Sequence, residues 1–233
     1  MQSVAAEMNL SETAFVRRID EQNFKLQWFT PAVEVDLCGH ATLATAHVLW
    51  QNDLVQGSDA IYFDTRSGIL TCTNVGGKIE MDFPANPAVD TPINPAVIEA
   101  MGVHPIFTGK NSFDLLIEVA SESEVLNADV NFQRLRDEPV RGVILTSRSE
   151  KPEFDFISRF FAPGAGVDED PVTGSAHCCL GPYWGAKLDK KDLAGFQASK
   201  RGGVVSIQLS EDRVLLQGHA VTVMRGDLLV SDD

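Results

Sequence analysis

The sequence has little positive charge and no long apolar run, and each shortage excludes a class of protein. Lys and Arg number 19 against 33 Asp and Glu, which gives a formal net charge of −14 at pH 7. Proteins that bind nucleic acid use clusters of Lys and Arg against the phosphates, so this balance argues against a nucleic-acid partner. No stretch reaches the roughly 20 apolar residues that a membrane-spanning helix needs, so we expect no membrane partner.

Cysteine is also scarce. Cys38, Cys72, Cys178 and Cys179 form no Cys-x-x-Cys spacing, and the last two are neighbours, which makes an unfavourable disulfide pair. The first residues lack the basic-then-apolar pattern of a secretory signal peptide. Reduced thiols and a cytoplasmic location are therefore predicted. The 44% hydrophobic content of this 233-residue chain is sufficient for a sizeable core.

A long internal repeat is the most informative feature that is present. The two copies share an aromatic start, a glycine before a helix and a closing tryptophan, at Phe29, Gly39 and Trp50 and again at Phe161, Gly174 and Trp184. Solenoid repeats have periods of 20–50 residues, and this period is longer, at about 130. Two similar lobes that face each other are predicted instead. Each copy places a polar residue, His40 or Ser175, where an apolar strand gives way to a helix.

The chain alternates many predicted strands with few helices. Strands are predicted at 13–17, 24–29, 60–64, 69–73, 78–83, 114–119, 142–146, 154–161, 204–209, 214–217 and 220–224. Helices are predicted at 41–54 and 176–187, with weaker ones at 95–101, 122–127 and 131–136. The fold class is therefore α+β, with an N-terminal lobe at 1–92 and a C-terminal lobe at 93–233 whose last strand can return to the first lobe. The boundary is the proline-rich stretch 84–92, although such stretches also occur inside single domains.

Gly39 and Gly174 lie at the strand-to-helix turns of the two copies. The N-terminus of a helix carries unpaired N–H groups and a partial positive charge, which attract carboxylates and phosphates. Glycine lets a ligand approach the backbone there. Two facing lobes would point both helix starts at one small acid, and so supply an anion site without a basic patch. The alternative is that both glycines serve only tight turns.

Three consecutive carboxylates, Asp168, Glu169 and Asp170, precede the second helix. They could form a metal site, but Ca²⁺ loops use ligands at alternating positions, and consecutive side chains diverge. We therefore expect no metal here. A solvated or partly catalytic loop is predicted, with Asp168 pointing away from the cleft and Asp170 pointing into it.

Three residues near the first copy are further candidates for chemistry. His40 stands between a glycine and a helix start, which is less typical of a purely structural histidine. Cys38 lies near a helix N-terminus, which lowers the pKa of a thiol, so it is a candidate nucleophile or proton carrier. A small buried hydrophobic residue is the alternative interpretation of Cys38. Glu12 lies where a strand begins, and by composition alone it is a surface carboxylate.

Five segments, in order along the chain, resemble the phenazine-biosynthesis isomerase (PhzF-like) family. They are Ser-Glu-Thr-Ala-Phe-Val at 11–16, Trp-Phe-Thr-Pro at 28–31, Cys-Gly-His-Ala-Thr-Leu at 38–43, Val-Asp-Glu-Asp-Pro-Val-Thr-Gly-Ser-Ala-His at 167–177 and Arg-Gly-Gly at 201–203. The Glu-Asp-Pro-Val-Thr-Gly-Ser-Ala block is highly specific. The resemblance implies the fold of diaminopimelate epimerase, in which two pseudosymmetric lobes, each a barrel-like mixed sheet around a central helix, enclose the active site.

The resemblance also implies roles for individual residues. The matching positions are Glu12, His40, Asp170 and Ser175 for catalysis, and Gly39, Gly174 and Thr173 for substrate binding. No metal, flavin, nicotinamide or pyridoxal cofactor is implied. Glu12 would carry the proton, and burial beside Asp170 is expected to raise its pKa so that it can exchange a proton near neutral pH.

The predicted function is a cofactor-independent isomerase that moves a proton on a small carboxylic acid, cyclic or amino-substituted. Two alternatives stay open: a thiol-dependent amino-acid racemase or epimerase that uses Cys38, and a non-catalytic binding or scaffold protein. The epimerase needs one thiol per lobe, yet Asp170 stands roughly where the second would be, and Cys178 lies further into the helix. A homodimer also stays open. Family members usually begin earlier, with an additional strand, so a truncated first lobe is expected.

Overall fold

The computed structural model describes residues 1–56 and 60–229. Its strands in chain order are β1 (Thr13–Arg18), β2 (Asn23–Phe29), β3 (Glu34–Val35), β4 (Ile61–Thr65), β5 (Gly68–Val75), β6 (Lys78–Pro84), β7 (Val89–Asp90), β8 (Pro105–Lys110), β9 (Leu115–Val119), β10 (Val143–Arg148), β11 (Phe156–Phe161), β12 (Asp192–Gln197), β13 (Gly203–Ser210) and β14 (Arg213–Gly218). The helices are α1 (Gln2–Met8), α2 (Gly39–Gln51), α3 (Pro95–Met101), α4 (Glu122–Leu126), α5 (Phe132–Arg136) and α6 (Gly174–Leu188), with one 3₁₀ turn at Pro163–Ala165.

The strands form one mixed sheet whose order is symmetric about the pair β6 and β14. From edge to edge the order is β1-β2-β4-β5-β6-β14-β13-β12-β11-β10-β9-β8-β7, and the short β3 pairs with β2. On one side of the centre, β6, β5 and β4 are antiparallel and β4 then pairs with β2 in parallel. On the other side, β14, β13 and β12 are antiparallel and β12 then pairs with β11 in parallel. An antiparallel neighbour, β1 or β10, comes next. The repeat in the sequence is thus a repeat in strand topology, and the predicted α+β fold of two pseudosymmetric halves is confirmed.

Each half uses its long helix as the crossover between its two parallel strands. Parallel strands cannot be joined by a tight turn, so a helical connection is needed. α2 connects β2 to β4 and packs on β6, while α6 connects β11 to β12 and packs on β12, β13 and β14. One apolar core surrounds both helices and includes Phe63, Phe83, Phe156 and Trp184. Because the two connections are equivalent, both helices begin near the centre of the molecule.

The two halves differ in size. The sheet continues beyond β10 with β9, β8 and β7, whereas on the other side it ends at β1. A second apolar core lies under α3, α4 and α5. The last strand, β14, pairs with β6 of the first half. The lobe boundaries at 1–92 and 93–233 stay a prediction, and residues 230–233 lie outside the described part of the chain.

Some predicted elements differ from the structure. The strand expected at 220–224 is wrong, because residues 219–229 have no regular structure. Both edges of β14 are already paired, with β6 and β13, so the segment that follows has no free strand beside it. It contacts α2 instead, where Thr222 lies 3.2 Å from His47. β8 and β12 were not predicted, and β12 contains Asp192 and Gly195, which disfavour strands in isolation.

The helices of the described residues include none with both the length and the apolarity to cross a bilayer.

Candidate active site

The first residues of α2 and α6 meet at the centre of the molecule. A Cβ atom built on Gly39 would lie 3.0 Å from Cα of Gly174, and one built on Gly174 would lie 3.1 Å from Cα of Gly39. Backbones this close leave no room for a side chain, which explains glycine at both positions. Both helix starts line one cleft of about 310 Å³. The prediction that the two glycines face a shared cleft is confirmed.

The first turn of each helix is held by the same type of contact. Thr42 Oγ1 donates to the backbone oxygen of Cys38 at 2.6 Å. His177 Nδ1 donates to the backbone oxygen of Thr173 at 2.7 Å, since a carbonyl can only accept. Cys38 and Thr173 directly precede α2 and α6, so the two contacts are equivalent in the repeat. Burial lowers the pKa of His177 to about 4, so this side chain is neutral near pH 7.

Glu12 and His40 form an ion pair on the first-half side of the cleft. Their side chains are 14% and 23% exposed, and His40 Nε2 lies 3.1 Å from Glu12 Oε2. Burial raises the pKa of Glu12, but the ion pair with His40 outweighs burial and brings the pKa below its usual value. Burial lowers the pKa of His40, whereas Cys38, Glu12 and Asp170 together hold it well above its usual value. Glu12 is therefore a carboxylate and His40 an imidazolium near neutral pH.

The three consecutive carboxylates diverge as expected. Asp168 accepts a hydrogen bond from Arg136 at 3.0 Å. Glu169 accepts two from Arg159, at 2.7 and 3.0 Å. Asp170 alone of the three lines the cleft. Because their oxygens meet different partners, these side chains do not converge on a common cation position.

Asp170 is fixed by buried polar contacts. Its Oδ2 accepts from the hydroxyl of Thr173, while its Oδ1 has no partner among the described residues. Gln197 of β12 holds the same loop, because its Nε2 donates to the backbone oxygen of Asp170 at 2.7 Å and its Oε1 accepts from the Thr173 N–H at 2.8 Å. Burial raises the pKa of Asp170 to about 6, although the charge of His40 and the Thr173 hydrogen bond oppose this rise.

The prediction of a raised pKa for Glu12 is wrong. Burial was expected to dominate, but the close contact with His40 reverses the shift. The raised pKa belongs to Asp170, which makes no comparably close contact with a cation. The cleft therefore holds two carboxyl groups whose pKa values are displaced in opposite directions, an arrangement that separates a base from an acid.

Cys38 lines the cleft, and its side chain is a protonated thiol, not a thiolate. It is 6% exposed, and burial raises its pKa although the charge of His40 opposes the rise. Its Sγ lies 3.8 and 3.9 Å from the two ring nitrogens of His40, so it points at neither in particular. The position equivalent to Cys38 in the second copy is Thr173, not Asp170 as expected from the sequence. Cys178 lies within α6, outside the set of described residues that line the cleft.

Glu12, Cys38 and His40 are the described residues best placed to hold a metal ion. One potential ligand atom from each lies within 4.8 Å of the others. Zn²⁺ accepts this mixture of carboxylate, thiolate and imidazole donors. The Glu12–His40 ion pair already compensates the charges of this group, so its burial is explained without a cation.

Ser175 lies in the first turn of α6 and also lines the cleft. Its Oγ accepts from Nη2 of Arg141 at 3.0 Å, and Arg141 forms two further hydrogen bonds with the buried Asp114. Arg141, Asp114 and Gln197 were not predicted as site residues. Each is a single polar residue outside any motif, so the local sequence carries no signal, and only the fold brings them to Ser175 and Asp170.

Comparisons with known proteins agree with this geometry. Residues 1–226 match the family model described as phenazine biosynthesis-like protein, PhzC-PhzF. An uncharacterized isomerase of Halalkalibacterium halodurans is 52% identical over 231 residues, which cover 99% of this chain and 87% of that protein. The crystal structure of a PhzF family protein from Enterococcus faecalis is 37% identical with a TM-score of 0.91, over 98% of this chain and 86% of that one. A PhzC/PhzF protein from Clostridium difficile is 39% identical with a TM-score of 0.87, over 98% and 87%.

Proposed function

The chain belongs to the phenazine biosynthesis-like (PhzC-PhzF) family, and from that premise we propose that it is an isomerase that moves a proton on a small carboxylic acid without a cofactor. Family membership and the isomerase relatives support an isomerase or epimerase activity. The type of substrate and the acid–base mechanism are our proposal. The cytoplasmic location and the homodimer stay predictions.

One observation carries the mechanism: Glu12 and Asp170 share a cleft, and their pKa values are displaced in opposite directions. Glu12, as a carboxylate, takes a proton from one carbon of the substrate. Asp170, which titrates at about pH 6, delivers a proton to a second carbon. The substrate keeps its atoms and its double bond shifts, and transfer of the proton from Glu12 to Asp170 restores the enzyme. Such positioned acid–base groups typically contribute about 10²–10⁴-fold to a rate.

The other cleft groups suit the charge that this reaction develops. Loss of a proton from carbon leaves negative charge on the substrate. The N–H groups at the starts of α2 and α6 and the hydroxyl of Ser175 are donors that face the cleft. The imidazolium of His40 adds a positive charge beside Glu12. Donors that are fixed before the reaction stabilise such charge without reorganising.

A thiol-based epimerase has less support. That mechanism needs a thiolate base and a second thiol on the opposite face of the substrate carbon. Cys38 is buried with a raised pKa, and Thr173 occupies its equivalent position in the second copy. A non-catalytic binding protein would need no acid–base pair in the cleft. Proton transfer at carbon is the simpler use of Glu12 and Asp170 together.

Proton transfer at carbon can be tested before the substrate is known. The protein would be incubated in D₂O with a panel of small cyclic and amino-substituted carboxylic acids, and deuterium at carbon would be followed by NMR. We expect exchange with at least one acid, and its loss in the double variant Glu12→Gln, Asp170→Asn, which preserves the shape of both side chains. If acids of the panel bind to both proteins and none exchanges with either, the result would support the non-catalytic alternative and refute the proposal.

A further inference from the structure

Two residues at the start of α2 and one just before β1 bring three potential metal ligands together in the cleft. Glu12, Cys38 and His40 offer an oxygen, a sulfur and a nitrogen atom that lie within 4.8 Å of one another. His40 Nε2 lies 3.1 Å from Glu12 Oε2 and 3.9 Å from Cys38 Sγ. In a tetrahedral zinc site, bonds of about 2.0–2.3 Å put neighbouring donor atoms about 3.3–3.6 Å apart. Both measured separations are close to the edges of such a tetrahedron.

The donor atoms of this cluster are close together but incompletely hydrogen-bonded. The contact between His40 and Glu12 lacks the angles of a hydrogen bond, and the buried Glu12 Oε2 has no hydrogen-bond partner among the described residues. His40 Nε2 has a long contact of 3.5 Å with Ser11 Oγ. Buried oxygens normally have a polar partner. A cation between the three donor atoms would give Glu12 Oε2 the partner that it lacks.

The cluster is open toward the cleft on one side. Glu12, Cys38 and His40 all line the cleft, so an ion has a route to them from solvent. Zinc sites with three protein ligands keep a fourth position for water or another bound molecule. The open side of the cluster offers such a position.

The types of donor and their charges select a divalent cation that accepts sulfur and nitrogen ligands. Mg²⁺ and Ca²⁺ prefer oxygen ligands, whereas Zn²⁺ accepts carboxylate, thiolate and imidazole together. Without metal, the charges of Glu12 and His40 cancel and the Cys38 thiol is neutral. Zn²⁺ replaces two protons, one from the His40 ring and one from the Cys38 thiol, and both pass to solvent. The net charge of the cluster is zero in both states, which avoids the cost of burying an uncompensated charge.

We propose that Glu12, Cys38 and His40 form a binding site for Zn²⁺, and that the bound ion inhibits proton transfer. The binding site does not depend on the proposed function, because it is argued from the positions and types of three donors. The inhibition does rest on the proposed function. Glu12 is the proposed base, and a carboxylate that is bound to zinc is a weaker base than a free one.

The site is tested by titration of the wild type with Co²⁺, which replaces Zn²⁺ in tetrahedral sites and absorbs visible light there. A bond between Co²⁺ and a thiolate adds an absorption band in the near ultraviolet. We expect both signals to saturate at a single Co²⁺ per chain and to disappear when Zn²⁺ is added, since a tetrahedral site with a thiolate favours Zn²⁺. An excess of Mg²⁺ should leave both signals in place.

Variants assign these signals to the cluster. Cys38→Ala should lose the near-ultraviolet band, and His40→Asn should weaken Co²⁺ binding by at least about tenfold. The matched controls are Cys178→Ala and His47→Asn, which remove a thiol and an imidazole outside the cluster and should bind Co²⁺ as the wild type does. Circular dichroism checks that each variant is folded. A folded wild type without the thiolate band, or a band that persists in Cys38→Ala, would refute the site.

The inhibition is tested with the deuterium exchange reaction, and each protein is compared with its own rate without metal. Zn²⁺ should lower the rate of the wild type as the site fills, and a chelator should restore it. Cys38→Ala should need at least about tenfold more Zn²⁺ for the same fractional loss. Exchange that becomes faster with Zn²⁺ would overturn the inhibition. If no acid exchanges deuterium, the proposed function and the inhibition fail together, while the Co²⁺ titration still decides the site.

Discussion

The two halves of this molecule share a scaffold and differ in the residues that they present to the cleft. Each half has a long helix between two parallel strands, a glycine at the helix start and a side chain that bonds back to the residue before the helix. At equivalent positions the first half has His40 and the second has Ser175. Glu12 joins His40 in the first half, and Arg141 joins Ser175 in the second. The first half therefore presents an ion pair to the cleft, and the second presents Asp170 together with the polar groups of Ser175 and Arg141.

This difference shows how a duplicated fold can favour one orientation of a bound ligand. A symmetric pair of helix starts would bind an acid equally well in two orientations. The Glu12–His40 ion pair on one side and Asp170, Ser175 and Arg141 on the other give the two sides different charges and donors, which would make the two orientations unequal in energy. Proton transfer between two carbons needs such an orientation.

The largest expected effect distinguishes Glu12 from Cys38 as the base of the proposed reaction. Glu12→Gln should reduce the rate of deuterium exchange by at least about 10²-fold, because the amide cannot accept the proton. Cys38→Ala should have a much smaller effect, since the thiol is buried with a raised pKa. Exchange rates by NMR, with circular dichroism to check folding, would decide. An inactive Cys38→Ala beside an active Glu12→Gln would replace the proposed mechanism with a thiol-based one.

A second prediction uses two buried groups of the second half that titrate in opposite directions. His177 has a pKa of about 4 against 6.5 for an ordinary histidine, so the unfolded chain binds more protons between these values and stability rises with pH. Asp170 has a pKa of about 6 against 3.8, so the folded protein binds more protons and stability falls as pH rises through that window. Each group changes the free energy of unfolding by about 3 kcal/mol across its pH window, because each pKa shift is roughly two units.

These slopes are measured as differences from the wild type by urea unfolding between pH 4 and 6. Relative to the wild type, Asp170→Asn should become more stable as pH rises, and His177→Asn less stable. His177→Asn retains a donor for the backbone oxygen of Thr173. If stability changed with pH in both variants as it does in the wild type, these two side chains would not control the acid stability.

A third prediction concerns the contact between the halves. Gly39→Ala or Gly174→Ala places a methyl group 3.0–3.1 Å from the opposite Cα, which the backbone can relieve only by moving. We expect a loss of about 1–3 kcal/mol in the free energy of unfolding, as for other overpacked sites, and weaker ligand binding. Gly226→Ala is the control, because its added Cβ meets nothing within 4 Å. Wild-type stability in both cleft variants would mean that the helix starts do not touch.

The smallest effect tests the equivalence of Thr42 and His177. Thr42→Val keeps the side-chain volume and removes the hydroxyl that donates to the backbone oxygen of Cys38. The backbone N–H of residue 42 also donates to that oxygen, at 3.2 Å, so the acceptor keeps a partner. A loss of about 1 kcal/mol is expected in chemical unfolding. A loss several times larger would indicate that Thr42 supports the helix start in another way.

Regular elements were predictable where the local pattern matched the final environment. The alternation in β4 predicts inward side chains, and Ile61 and Phe63 are buried. The repeat predicted the shared cleft because it placed a glycine at each helix start. The repeat was less reliable for tryptophan, because Trp50 and Trp184 lie at different distances from their glycines, and Trp184 alone is in the buried core. The segment 220–224 has strand-like residues, but β14, which it follows, is already paired on both sides.

The sequence by itself determined the family, the α+β class, the duplicated scaffold and four of the polar groups that meet in the cleft. Only the tertiary structure decided their protonation, because a pKa depends on burial and on charges that come from distant parts of the chain. The contact with His40 gave Glu12 a lowered pKa, and burial gave Asp170 a raised one. Arg141 likewise acquires its place from the buried Asp114, 27 residues earlier in the chain, so no local pattern could mark it.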